Sequence, residues 1–198
     1  QGGRVVATIS LVVDSPFGLP MEESFAQEVQ ALRLQGRVVA ETTGLAVDKS
    51  CRDLRLFSRL TKYILAYAHH ASVNDICIAV NPENAGFYTE AGLFEFFGSI
   101  RSYSSTKGDN VIGLRLNLGG YDRRLWHAYS RAERDVNFHS FFFGEKSLWQ
   151  MADARRQAKK PAMTPQLLRY FFVEKTRILK DASPDMLRTM VSLYPDYN

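Results

Sequence analysis

Cysteine is scarce in this chain: 198 residues hold two, Cys51 and Cys77. Two thiols cannot build a disulfide framework. That excludes the small stapled secreted folds and suits a reducing, cytoplasmic compartment. No apolar run approaches the ~20 residues that cross a bilayer, and no signal-peptide pattern opens the chain. Metal-ligand spacing is missing as well. His127 and His139 stand alone, and His69-His70 closes a helical stretch, where a cation suits the helix dipole; no metal is expected. Charge of one sign is also in short supply. Twenty-five Lys and Arg against 21 Asp and Glu leave a net +4, too little for a nucleic-acid footprint but compatible with an acidic partner. Internal repeats and low-complexity tracts are absent.

Aromatic residues, in contrast, reach 12%. Many fall in two runs, Phe94/Phe96/Phe97 and Phe138/Phe141/Phe142/Phe143. The second run reads as core under a helical tail, with the lining of an acyl tunnel as the alternative.

The pattern along the chain alternates. Arg4 to Val13 (RVVATISLVV) reads as a strand, and Gly2-Gly3 before it as a hairpin turn. Met21 to Leu34 carries Phe25, Val29 and Leu32 at helical spacing. Arg37 to Val47 is a second strand with polar residues in its middle. A long amphipathic helix follows from Arg55 to His70, then a short buried strand, Ile76 to Val80. Asn84 to Ala91 is a short helix capped at Gly92, and Phe94–Tyr103 and Asn110–Leu118 are two more strands. Strand–helix alternation implies crossovers and a mixed sheet, an α/β (α+β) fold. After Gly119-Gly120 strand signals give way to helical ones at 123–133, 145–159, 165–180 and 184–192, with Thr164-Pro165 and Ser183-Pro184 as helix starts. The domain reading is a core over 1–119 and a helical extension over 120–198 packed on it.

The segment Asn81 to Leu93 (NPENAGFYTEAGL) follows the buried strand and forms one helix. Its Asn81, Tyr88, Gly92 and Leu93 resemble the closing motif of GNAT acyltransferases. There Asn81 ends the strand beside a pantetheine arm, and Tyr88 is placed to protonate a leaving thiolate. The bland alternative for Tyr88 is a half-buried helix residue. The segment ETTGLAVD (41–48) resembles the strand that holds the thioester. Thr43, Gly44, Leu45, Ala46 and Val47 would then contact the acyl group, with the backbone N–H of Leu45 or Val47 facing an oxyanion. Glu41, in mid-strand, is the candidate general base, against a purely structural carboxylate.

The loop that in these enzymes is glycine-rich reads Arg52 to Phe57 (RDLRLF) here. Without glycines it is poorly shaped for a coenzyme A pyrophosphate, whereas a carrier protein presents a single phosphate. Arg52, Arg55, Leu56, Arg59 and Lys62 form the candidate surface for phosphopantetheine or an acidic carrier, against an ordinary solvated helix face. Cys51 is a weak candidate for a covalent nucleophile, since no His lies nearby in sequence, and Cys77 reads as inert core.

Together VVATISLVVDSP, ETTGLAVD, CRDLRLF, AVNPENAGFYTEAGL and the TPQLLRYFF tail resemble the bacterial long-chain N-acyl amino acid synthases, including the N-acyl-tyrosine synthases of environmental DNA. These are relatives of the acyl-homoserine lactone synthases. The resemblance implies a GNAT-like mixed sheet flanked by helices, whose usual opening strand and helices are not in the present chain. It implies an acyl carrier protein as donor partner, no permanently bound cofactor, and an amino acid acceptor such as tyrosine. A carboxylate brought beside an acyl site needs a cation, and Arg33, Arg37, Arg101 and Arg115 are the candidates. The alternatives are a lactone-type signal synthase and a catalytically silent domain that binds acyl chains or carrier protein.

Overall fold

The computed structural model describes residues 4–51, 54–103, 108–133, 137–144, 164, 166, 169–170, 174 and 182–193. Contacts divide the chain into two compact units, Gln1–Ala154 and Arg155–Asn198. In the first unit the elements run β1 (Ala7–Val13), α1 (Glu22–Leu34), β2 (Val39–Val47), α2 (Leu54–His70), β3 (Asp75–Val80), α3 (Ala85–Gly92), β4 (Glu95–Phe96), β5 (Arg101–Ser102), β6 (Asn110–Asn117), α4 (Tyr121–Tyr129) and α5 (Phe138–Phe143). In the second, α6 spans Pro184–Leu193; the Ser183 hydroxyl accepts from the Met186 N–H at 3.2 Å and starts it. The expected helix over 145–159 and Pro165 of the expected Thr164-Pro165 start fall outside the described residues.

The strands form one mixed sheet in the order β1-β2-β3-β6-β4, with β5 on the far end of β6. β2 and β3 are parallel and the other pairs antiparallel. The long strand expected over 94–103 is instead two short pairings, β4 and β5. Between them the chain bends to admit Phe25: a Cβ on Gly98 would stand 2.6 Å from the Phe25 ring, and one on Gly113 of β6 3.0 Å. Glycine at both sites leaves room for the fully buried ring of Phe25. The helix bends there, at φ −124° for Phe25.

Alternation sorts the side chains into two layers. Val39, Cys77 and Val111 face α1 with Phe25, Val29 and Leu32. Ala40, Ile76 and Leu116 face α2, α4 and α5 with Leu65, Ala68, Tyr121, Leu125 and Phe142. Thus α4 and α5, which the sequence assigns to the extension, share a core with the sheet. The second aromatic run is likewise part of that core.

One carboxylate ties three strands at the end where they all pair. Asp75, fully buried at the start of β3, accepts from Arg37 just before β2 at 2.9 Å and from Arg115 of β6 at 2.7 Å. Removing one member of a buried ion cluster leaves the others unpaired in low dielectric. Asp75→Ala is expected to lower unfolding stability by about 3–5 kcal/mol, measured by urea denaturation. A loss under about 1 kcal/mol would mean that the two arginines find solvent freely.

Candidate active site

The sequence places polar residues in the middle of β2, and the structure turns them into a fork. β2 and β3 pair through Val39↔Asp75, Ala40↔Ile76 and Glu41↔Cys77, and then no further. β3 continues against β6 as far as Val80↔Ile112. β2 follows β1 instead, and between Ser10↔Thr43 and Thr8↔Ala46 the register shifts. Gly44 and Leu45 there oppose Ile9 alone, a β-bulge, and Gly44 takes φ +64°, which glycine adopts without strain. A bulge bends and twists its strand, and here the bend carries β2 away from β3.

A cavity of about 330 Å³ fills the fork and the adjoining face under α2. Thr42, Thr43, Gly44 and Leu45 line it from β2, and Ile78, Ala79 and Val80 from β3. Phe57, Ser58, Thr61, Ile64 and Leu65 of α2 roof it, Phe87 and Tyr88 of α3 flank it, and Phe138 and Phe142 of α5 lie along it. Its walls are mostly apolar, which fits a hydrocarbon chain. Two of the phenylalanines in the second aromatic run therefore serve both core and cavity.

Tyr88 lines the cavity from α3. The Asn81 side chain accepts from the Glu83 N–H at 2.9 Å and turns the chain out of β3; Asn81 does not itself line the cavity. Phe57, Phe87 and Phe94 meet the Tyr88 ring edge-on, with centroids 6.3, 5.3 and 5.8 Å away. Burial pushes the Tyr88 phenol above its ordinary value, so it is protonated at neutral pH and able to donate.

The helix end differs from expectation. Gly92 is the last helical residue, and the left-handed cap is Leu93 at φ +58°. Gly92 sits close to the next aromatic ring: a Cβ there would stand 3.0 Å from Phe94, and the ring would have to give way. Two tyrosines of α4 satisfy the exposed carbonyls of α3. Tyr121 donates to Gly92 at 3.2 Å and Tyr129 to Ala91 at 3.0 Å. Sequence reading missed this clamp, because nothing local marks two tyrosines about thirty residues on as caps.

Glu41 is the last residue of β2 that pairs with β3, and its side chain points to the α1 face, opposite Thr42. It is buried, and its Oε2 accepts from the Met21 N–H at 2.7 Å. Burial raises its carboxyl above the ordinary value, against the lowering effect of that hydrogen bond. Glu41 does not line the cavity, nor do Ala46 and Val47. The Asp48 N–H donates to Val6 of the β1 segment at 2.8 Å, so by strand alternation Val47 turns its N–H to the open side.

The other candidates scatter. Arg55 and Arg59 are exposed on α2 and Leu56 is half-buried, while Arg52 lies outside the described residues. Lys62 falls within about 60° of Arg55 and Arg59 on the helical wheel but does not share their exposure. It is 7% exposed, with its ammonium 4.9 Å from the Phe141 ring centroid, because α5 covers that part of α2.

None of the four candidate arginines lines the cavity, and each holds a carboxylate of the chain itself. Arg33 binds Asp14 at 2.7 Å and Glu22 at 2.5 Å and holds both carboxyls below their ordinary values. Arg37 and Arg115 share Asp75, and Arg101 pairs with Glu28 over the Phe25 ring. Cys51 is half-buried beside Ser50. Burial pushes the Cys77 thiol up to about 12, so it stays protonated and inert.

A mixed sheet whose parallel central strands part over an apolar cavity, with a motif tyrosine beside it, is the framework of a GNAT-like N-acyltransferase. The family model of the N-acyl amino acid synthase FeeM matches residues 1–117. The chain belongs to that family. Among solved structures it is similar to FeeM, an N-acyl amino acid synthase from uncultured soil microbes, with 26% identity and a TM-score of 0.57, over 61% of this chain and 67% of that one. The CoA-dependent acyl-homoserine lactone synthase BjaI matches with 12% identity and a TM-score of 0.41, over 81% of this chain and 63% of that one. An agmatine N-acetyltransferase matches with 14% identity and a TM-score of 0.42, over 60% and 73%. The chain thus spans about two thirds of the length of the two synthases. No curated protein matches it. Among the described residues no helix is long and apolar enough to cross a membrane.

The raised Glu41 carboxyl has a sign that can be tested. A group whose folded pKa lies above its unfolded value contributes stability that is complete below the unfolded pKa and lost as pH rises through the folded one. Glu41→Gln keeps an acceptor for Met21 and removes the desolvated charge. The variant is expected to melt at or above the parent's temperature at neutral pH, with a margin that shrinks as pH falls into the acid range. A lower melting temperature at every pH would show that the carboxylate is structurally required.

Proposed function

We propose that the protein moves a long-chain acyl group from the phosphopantetheine of an acyl carrier protein to the amino group of an amino acid, with tyrosine the first candidate. The observation that carries this reading is the apolar cavity at the fork, continuous from the strand gap to the phenylalanines of α5. It has room for a hydrocarbon chain beyond the reacting carbonyl. Family membership supports the amino acid as acceptor.

In this reading the donor thioester lies in the fork, with its sulfur toward Tyr88. The phenol, kept protonated by burial, donates its proton to the leaving thiolate. The N–H of Leu45, in the bulge, or of Val47, beyond it, faces the developing oxyanion. The acceptor amine comes from the α1 face, where Glu41 stands at the apex of the fork. Because Met21 covers the carboxyl, the ammonium proton reaches it through a bridging water, and the raised pKa brings the base closer to neutral pH. Arg55 and Arg59 on the exposed face of α2 suit an acidic carrier surface.

The assay is acyl-carrier protein plus a mixture of amino acids, read by mass spectrometry, with acyl-coenzyme A as competing donor. An N-acyl amino acid made faster from the carrier supports the proposal; equal kcat/KM for the two donors removes the carrier. Charge reversal at Arg55 and Arg59 is expected to slow association and flatten its salt dependence. Tyr88→Phe and Glu41→Gln are each expected to lower kcat by about 10²-fold or more, and rates within twofold of the parent would remove that residue from the mechanism. Tyramine offered beside tyrosine tests the acceptor: equal acylation at matched subsaturating concentration would mean that no carboxylate is recognised.

A further inference from the structure

The apolar cavity has a neighbour, and the wall between the two bears on which acyl chain the site takes. A second hollow, of about 370 Å³, has Leu118, Phe143 and His69 in its lining. Leu65 and Tyr121 line both hollows. Each is 4% exposed, so together they form the partition.

Two rows of residues place the second hollow beyond the closed end of the fork. As the crossover between parallel strands, α2 runs back from the open end of β2 to the start of β3. Phe57, Thr61 and Leu65 line the first hollow and Leu65 and His69 the second, at four-residue steps along one helix face. On β6, Ile112 pairs with Val80 at the open end and Leu116 with Ile76 at the closed end. Leu116 lines the first hollow, and Leu118, further along the chain, lines the second. The mouth lies at Phe57, whose ring meets Tyr88 with centroids 6.3 Å apart. From Phe57 to Leu65 the helix advances about 12 Å, at about 1.5 Å per residue. An extended hydrocarbon advances about 1.3 Å per carbon, the projection of a C–C bond of about 1.5 Å, so about ten carbons reach from the mouth to Leu65. Of the two partition residues, Tyr121 is fixed: it donates to the Gly92 carbonyl at 3.2 Å, and its ring meets Phe143 edge-on at 6.1 Å. The Leu65 side chain is hydrocarbon and is held by packing alone.

We propose that Leu65 is the floor of the acyl site and sets the chain length that the enzyme takes. The inference rests on the acyl-transfer reading and narrows its donor to chains whose methyl end stops against Leu65. A longer chain must enter the second hollow, which Leu65 closes. With that side chain cut back the two hollows join. The further step along α2 from Leu65 to His69 is about 6 Å, room for about four more carbons.

Binding of an acyl-phosphopantetheine series, from hexanoyl to octadecanoyl, tests the floor in the parent and in Leu65→Ala. In the parent, affinity is expected to rise about fourfold per added methylene as far as about ten carbons and then to level off or fall. In Leu65→Ala the break is expected to move up by about four carbons. Alanine leaves a hole in the core, so Leu65→Val, which removes a single methylene, stands in where alanine does not fold; its break is expected to move up by about one carbon. The parent series needs no variant at all. Affinity that climbs unbroken through octadecanoyl in the parent, or a break that stays in place in the folded variant, overturns the assignment of Leu65 and leaves acyl transfer standing. Transfer to the amine is measured beside binding: a parent that transfers none of the chains overturns the acyl-transfer reading, and one that also binds none overturns both.

Discussion

Everything in the site depends on the parting of two parallel strands. Parallel neighbours normally stay hydrogen-bonded along their shared length, because backbone groups exposed in a gap must find other partners. Here opposite constraints act at the two ends of one strand pair. At the closed end Asp75 holds Arg37 and Arg115 and locks β2, β3 and β6 together. At the open end the bulge at Gly44 bends β2 onto β1, while β3 stays with β6. The bulge alone could be undone by a slip of register. With the other end pinned, a slip would move every β2 side chain to the wrong face. The gap is thus a stable feature of the empty fold, and a ligand need not open it.

The fork also explains why the polar residues of β2 fall on opposite faces. Glu41 and Thr42 are adjacent, so the pleat sends one toward α1 and the other toward α2. The two polar groups have different settings for the same reason. Glu41 is held by the Met21 N–H under a closed helical layer, whereas the Thr42 hydroxyl is buried with no hydrogen-bond partner among the described residues.

Much of this was legible because it is local. The NPENAGFYTEAGL segment names a strand end, a turn and a helix in thirteen consecutive residues, and the structure follows them. The bulge was not read, although a glycine inside a strand pattern such as ETTGLAV is the signal that marks one. Long-range pairing was not legible. Arg33, Arg37, Arg101 and Arg115 read as free cations in sequence, yet Asp14, Glu22, Asp75 and Glu28 meet them across 11 to 73 residues. Lys62 lay on the basic stripe of α2 until α5 was folded over it. The α4 tyrosines that clamp α3 could not be read from a helical pattern either.

That clamp connects the tail to the chemistry. Tyr88 is placed by α3, a helix of only eight residues. Isolated helices of that length are marginal in water, so their order comes from tertiary contacts. The C-terminal carbonyls of α3 are satisfied by Tyr121 and Tyr129. Both rings pack on the run that begins at Phe138: Tyr121 meets Phe143 with centroids 6.1 Å apart, and Tyr129 meets Phe138 at 5.2 Å. The same phenylalanine run supplies Phe138 and Phe142 to the cavity wall. One aromatic layer therefore fixes the far wall of the cavity and the helix that presents the phenol. A change in that layer would also move Tyr88, so the shape of the cavity and the position of the phenol are mechanically linked in this fold.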